Sequence, residues 1–96
     1  MRTVRLDPYL FETLMADIVG HDRSPAAYLV YLYLSTRAGV DRKVRMSYQD
    51  LAIETGLSRS AIQRGVAHLL KRKLLASFQA YLTDTPTYTI LTPWIR

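Results

Sequence analysis

The chain has 96 residues, of which 49% are hydrophobic and 22% are charged, as in a globular domain with one core. It contains no cysteine, which excludes disulfides and thiolate metal sites. The net charge of +5 predicts a polyanionic partner, and the longest apolar run, residues 26–34, is too short to cross a bilayer.

The first predicted element is an N-terminal helix over residues 7–20. Asp7 can cap its free N–H groups, and Pro8 suits the first helical position. Apolar residues then recur at spacings of three and four, which is typical of an amphipathic helix. They are Leu10, Phe11, Leu14, Met15 and Ile18. Gly20 predicts the end of the helix. We expect this stripe to pack in the core, with a homodimer interface as the alternative.

A second helix is predicted over residues 24–38, again opened by a Ser-Pro pair and ended by Gly39. Apolar side chains on nearly all sides indicate a central helix that is buried on several faces. Tyr28 and Tyr31 are expected at its margin with their hydroxyl groups in water, which makes them a second possible homodimer surface. A turn and a short strand, residues 44–46, follow.

Two helices over residues 47–56 and 58–74 are separated by a short turn. Ser47 and Ser58 are the predicted N-caps, and Gly56 supplies the positive φ that a tight turn between helices needs. Gly65 lies inside the second helix, where it costs roughly 1 kcal/mol relative to Ala. We therefore expect Gly65 to allow close packing against a neighbouring helix.

A β-hairpin is predicted over residues 77–92, with strands 78–82 and 87–91 and the short strand 44–46 as a third member. The turn between them, residues 83–86, contains Asp84 and neither Lys nor Arg. An acidic turn is a poor match for a polyanion, so we expect the hairpin to be mainly structural or to contact the partner only weakly.

The order helix, helix, short strand, helix, helix, hairpin resembles the winged helix-turn-helix fold, which is mainly α with a small antiparallel β wing. Leu51, Ala52, Gly56-Leu57 and Ile62 carry this resemblance in the helix pair. The segment from residue 56 to 75, GLSRSAIQRGVAHLLKRKLL, is similar to the recognition-helix segment of GntR-type regulators and replication-initiator-type bacterial proteins. The resemblance implies a single domain that binds duplex DNA with its second motif helix in the major groove.

The distribution of charge along the chain agrees with this interpretation. Residues 57–83 hold five basic and no acidic residues, whereas the rest of the chain holds eight of each. Helix N-termini bind anions through backbone N–H groups, Arg pairs with guanine, and Gln pairs with adenine. Gln63 and Arg64 are the predicted base-reading residues. The full predicted DNA-binding set is Ser47, Tyr48, Gln49, Ser58, Arg59, Ser60, Gln63, Arg64, Lys71, Arg72 and Lys73, the last three on the DNA backbone.

The expected function is transcriptional regulation by a cytoplasmic, nucleoid-associated protein. The alternatives are a plasmid or phage replication or partition protein and a winged helix that binds other proteins. An enzyme is not expected, because His21 and His68 have no cysteine partner, and no Gly-rich phosphate loop or metal-ligand spacing occurs. No cofactor, metal, membrane or small-molecule ligand is predicted.

Overall fold

The computed structural model describes residues 3–95, which form a mainly helical fold with a small three-stranded antiparallel sheet. This confirms the predicted fold class at that level. The elements are an N-terminal helix in two segments, Leu10–Leu14 and Ala16–His21, then α1 (Pro25–Arg37), β1 (Lys43–Arg45), α2 (Tyr48–Thr55), α3 (Arg59–Lys71), β2 (Leu75–Phe78) and β3 (Thr87–Ile90). Within residues 3–95, no helix is both long and apolar enough to cross a membrane.

The N-terminal helix has π-type hydrogen bonds, which a spacing of three and four residues does not predict. The Met15 N–H donates to the Leu10 carbonyl, and the Asp22 N–H donates to the Asp17 carbonyl, each across five residues. The helix also continues to His21, so the predicted end at Gly20 is wrong. The chain turns at Arg23 instead, which has a φ of 53°.

Helix α1 is central, and the two tyrosines predicted at its margin are buried. The Tyr28 hydroxyl donates to the Leu10 carbonyl at 2.7 Å, and the Tyr31 hydroxyl donates to the Leu91 carbonyl at 2.7 Å. Backbone oxygens therefore take the place of water as hydrogen-bond partners. The prediction that these hydroxyl groups stay in water is wrong.

The same packing buries most of the residues predicted for homodimer surfaces. Leu10, Leu14 and Ile18 are buried in the core of their own chain, together with Tyr28 and Tyr31. Phe11 and Met15 of the N-terminal stripe are exposed. The buried side chains are unavailable to a second subunit, and a homodimer stays a prediction.

Helix α3 is positioned by close contact with α1. A Cβ atom added at Gly65 would lie 3.2 Å from the Ala27 nitrogen and 3.3 Å from the Ala26 carbonyl carbon. These distances confirm that Gly65 allows close packing against another helix. Ile62, Val66 and Leu69 are buried on the same side of α3, which fixes its opposite side toward solvent.

The sheet has the strand order β1-β3-β2. Tyr88 in the central strand β3 is paired with Val44 of β1 on one side and with Ser77 of β2 on the other. The first hairpin strand was predicted over residues 78–82 but occupies Leu75–Phe78. Helix α3 ends early, at Lys71, and Lys73 with a φ of 59° turns the chain straight into the sheet. Residues 79–86 then form the hairpin turn.

Candidate nucleic-acid interface

The outer side of α3 presents cationic and polar side chains to solvent. Arg59, Ser60, Gln63 and Arg64 are all exposed, whereas Ile62 between them is fully buried. The spacing of three and four residues places the four exposed side chains on one side of the first two turns. The structure thus brings together the residues that the sequence predicted for base contacts.

The N-termini of α2 and α3 are capped as predicted. The Ser47 hydroxyl accepts a hydrogen bond from the Asp50 N–H at 3.0 Å, and the Ser58 hydroxyl accepts one from the Ala61 N–H at 3.1 Å. Gly56, with a φ of 76°, makes the turn between the two helices. Other N–H groups in each first turn have no acceptor within the helix and are suited to an anion.

A groove of about 390 Å³ connects the start of α2, the start of α3 and the hairpin turn. Its lining includes Ser47, Tyr48 and Arg59 from the two helix starts and residues 82–86 from the hairpin turn. Tyr48 also interacts with Tyr88, and the pKa of Tyr88 is raised first by burial, then by the charge of Tyr48 and by its hydrogen bond. Among the predicted site residues, the structure therefore joins Ser47, Tyr48 and Arg59 in one groove.

Lys71 and Lys73 lie at the far end of α3 and are exposed. Arg72 between them is not available as predicted. Its guanidinium contacts the Asp22 carboxylate at 2.6 Å and the Asp17 carboxylate at 2.5 Å. Because both bonds lie within the chain, the predicted phosphate contact by Arg72 is replaced by a structural role that joins α3 to the N-terminal helix.

Asp22 is the centre of this cluster, and sequence reasoning missed it. Its side chain is only 7% exposed, and it accepts contacts from His68 Nε2 at 2.7 Å and His21 Nδ1 at 2.9 Å. Burial disfavours the charged carboxylate, but the hydrogen bonds from both histidines and the charge of Arg72 outweigh burial and lower the pKa of Asp22. The hydrogen bond to Asp22 in turn raises the pKa of His21. His68 and Arg72 are 46 and 50 residues away from Asp22 along the chain, so sequence spacing gives no signal for their part in the cluster.

The same region contains the one group of possible metal ligands within the described range. Asp17, His21 and Asp22 offer ligand atoms within 4.8 Å of one another. Both carboxylates already bind the Arg72 guanidinium, and a fixed positive charge at this distance opposes a metal cation. The arrangement fits an ion-pair cluster better than a metal site.

The acidic hairpin turn is neutralised by a neighbouring strand. Asp84 accepts a hydrogen bond from the Arg45 guanidinium at 2.9 Å, and this contact lowers the pKa of the Asp84 carboxyl. The turn therefore presents a paired carboxylate rather than an isolated negative charge. Arg59, Arg64, Lys71 and Lys73 form no ion pair with any other residue between positions 3 and 95, so their positive charges remain uncompensated along α3.

Comparison with protein-family models, curated proteins and solved structures finds no match to this chain.

Proposed function

We propose that the protein binds duplex DNA and that its fold is a winged helix-turn-helix, with α2 and α3 as the motif and the β2–β3 hairpin as the wing. In this proposal α3 enters the major groove and reads bases with Gln63 and Arg64. Transcriptional regulation is the proposed use, because base-reading side chains give a protein sequence preference.

The observation that carries the proposal is the exposed front of α3, which is the solvent-facing side of its first two turns. Arg59, Gln63 and Arg64 face solvent on a helix whose opposite side is anchored to α1 at Gly65. An α-helix fits the width of the major groove, and Arg and Gln have the donor geometry to read guanine and adenine. An anchored helix also presents these side chains without further ordering of the backbone.

Phosphate contacts follow from the other exposed groups. The N–H groups at the starts of α2 and α3 suit phosphate oxygens, with Ser47, Tyr48 and Gln49 beside one of them and Ser58 at the other. Arg59 and Lys71 on α3, and Lys73 just after it, add positive charge. Together with the N–H groups at the two helix starts, these three cations can engage about four phosphates.

Titration of a labelled duplex of about 30 base pairs at several salt concentrations tests this proposal. The logarithm of the association constant should fall with the logarithm of salt concentration with a slope near −3.6, about −0.9 for each phosphate. An Arg59→Ala/Arg64→Ala double variant should reduce that slope, and Arg37→Ala, which changes an exposed arginine on α1, should not. No binding by the unmodified protein at low salt contradicts the proposal.

A protein-binding winged helix remains the second candidate, and one surface favours it. Leu29, Leu32 and Tyr33 of α1, with Thr55 at the end of α2, line an apolar cleft of about 250 Å³. This cleft shares no residue with the groove beside Arg59. The two functions are separable, because Leu29→Asp should leave duplex binding unchanged if DNA is the partner, whereas Arg64→Ala should weaken it.

Selection of bound sequences from a random duplex pool distinguishes a regulator from a nonspecific DNA-binding protein. A conserved motif of a few base pairs is expected, and an inverted repeat within it indicates a two-fold symmetric dimer on DNA. Recovery of random sequence alone contradicts base reading by Gln63 and Arg64.

A further inference from the structure

The hairpin turn displays apolar side chains at its tip. Leu82 is 96% exposed and Tyr81 is 64% exposed, and Phe78 at the end of β2 is also exposed. From residue 74 to residue 95 the sequence contains no Lys or Arg, and its one acidic residue is Asp84. This tip therefore cannot bind a phosphate chain through cations, and it leaves apolar surface in water.

Hydrogen bonds hold the tip in a defined shape. The Asp84 N–H donates to the Tyr81 carbonyl at 3.0 Å, and the Gln79 side-chain amide donates to the Asp84 carbonyl at 2.6 Å. The Asp84 carboxylate accepts from the Arg45 guanidinium at 2.9 Å and from the Ala80 N–H at 3.4 Å. The exposed Leu82 is thus presented by a closed turn that is fixed to β1 by an ion pair.

The tip lies next to the surface that we assign to DNA. Leu82 and Arg59 line the same groove, which also includes Ser47 at the start of α2. A duplex held at the starts of α2 and α3 would therefore lie beside the turn. The paired Asp84 adds little repulsion there, because its charge is compensated by Arg45.

We propose that Leu82, supported by Tyr81, is an apolar wedge that enters the minor groove beside the α3 site, partly unstacks one base step and bends the duplex. Apolar side chains that insert between base steps open the minor groove and kink DNA by roughly 20–90°. This inference rests on the proposed DNA binding, and it assigns the hairpin a role in DNA deformation rather than in cationic minor-groove reading.

The test uses the full chain and a duplex that contains its selected site. One set of duplexes carries 2-aminopurine at successive flanking positions, and its fluorescence rises where a base loses stacking. Another carries a donor and an acceptor dye at its two ends, so that bending raises energy transfer. The unmodified protein should raise 2-aminopurine fluorescence at one step and shorten the end-to-end distance.

Leu82→Ser should abolish both signals while the dissociation constant stays within about ten-fold of the original value, because α3 and its phosphate contacts are unchanged. Val40→Ser is the matched control, since Val40 is also fully exposed on a loop but does not line the groove, and it should keep both signals. Thermal melting of each variant checks that the fold is retained.

Binding by the unmodified protein without unstacking or bending overturns the wedge and leaves the proposed function standing. Equal signals for the Leu82→Ser variant and the unmodified protein overturn it as well, because the unstacking and bending then have another cause. Failure of the unmodified protein to bind duplex at low salt overturns the proposed function and the wedge together. The duplex titration distinguishes this outcome from the others, because binding is observed in each of them.

Discussion

Asp22→Ala tests the cluster that joins α3 to the N-terminal helix. The carboxylate is 7% exposed and is bonded to Arg72 and His68, whose side chains are 33% and 27% exposed. A hydrogen bond to a charged group contributes about 1.5–3 kcal/mol when it is largely shielded from water, and less when a partner is exposed. Both partners are about one third exposed, so counting each of the two bonds at about half gives an expected loss of about 1.5–3 kcal/mol.

Urea denaturation followed by circular dichroism measures this loss, and thermal melting should show a decrease of roughly 4–8 °C for each kcal/mol in a domain of this size. Glu12→Ala is the matched control, because it removes an exposed carboxylate from the N-terminal helix that Asp22 follows. We expect that control to change stability by less than about 0.5 kcal/mol. If the Asp22 variant loses no more stability than the Glu12 variant, the cluster contributes nothing to the fold and the reasoning is refuted.

Three further predictions concern packing, base reading and pH. Gly65→Val should destabilise the protein by about 1–3 kcal/mol in urea denaturation, because its Cβ meets the α1 backbone at Ala27, and an unchanged midpoint contradicts close packing there. Arg64→Ala should weaken binding to the selected site by about 1–3 kcal/mol and reduce discrimination between sequences, whereas an equal loss on every sequence assigns Arg64 to a phosphate. His21 has a raised pKa in the folded state, so its bond to Asp22 stabilises the fold fully below pH 6.5 and this contribution disappears as pH rises through the raised folded value. The difference in stability between the unmodified protein and His21→Ala should therefore be larger at pH 5.5 than at pH 9, and a difference that does not change with pH refutes the linkage.

Local signals predicted much of the fold. Ser47, Gly56 and Ser58 act through contacts within a few residues, so their roles as caps and turn could be predicted from the sequence. Gly65 was also predictable, because a glycine inside a strongly amphipathic helix has few explanations other than close packing. The exposed front of α3 followed from the same periodicity.

Features that depend on contacts between residues far apart in the chain could not be predicted from the sequence. Whether Tyr28 faces water depends on the Leu10 carbonyl, 18 residues away, and the use of Arg72 depends on Asp17 and Asp22. The π-type bonds of the N-terminal helix were missed because a four-residue apolar spacing fits both helix types. The strand boundary at Leu75 was missed because β propensity in residues 78–82 is outweighed by the side-chain bonds that close the turn after Phe78.

Three ion pairs within the chain shape the surface that we propose for DNA. Asp17 and Asp22 bind Arg72 at the end of α3, and Arg45 binds Asp84 in the hairpin turn. The first two pairs compensate one cation at the far end of the helix, and the third compensates a negative charge that lines the groove. Because unpaired charges dominate attraction to a polyanion, the exposed cations of α3 would attract DNA most strongly, and the hairpin tip, whose one carboxylate is paired, would contact it through shape and apolar surface, as we propose.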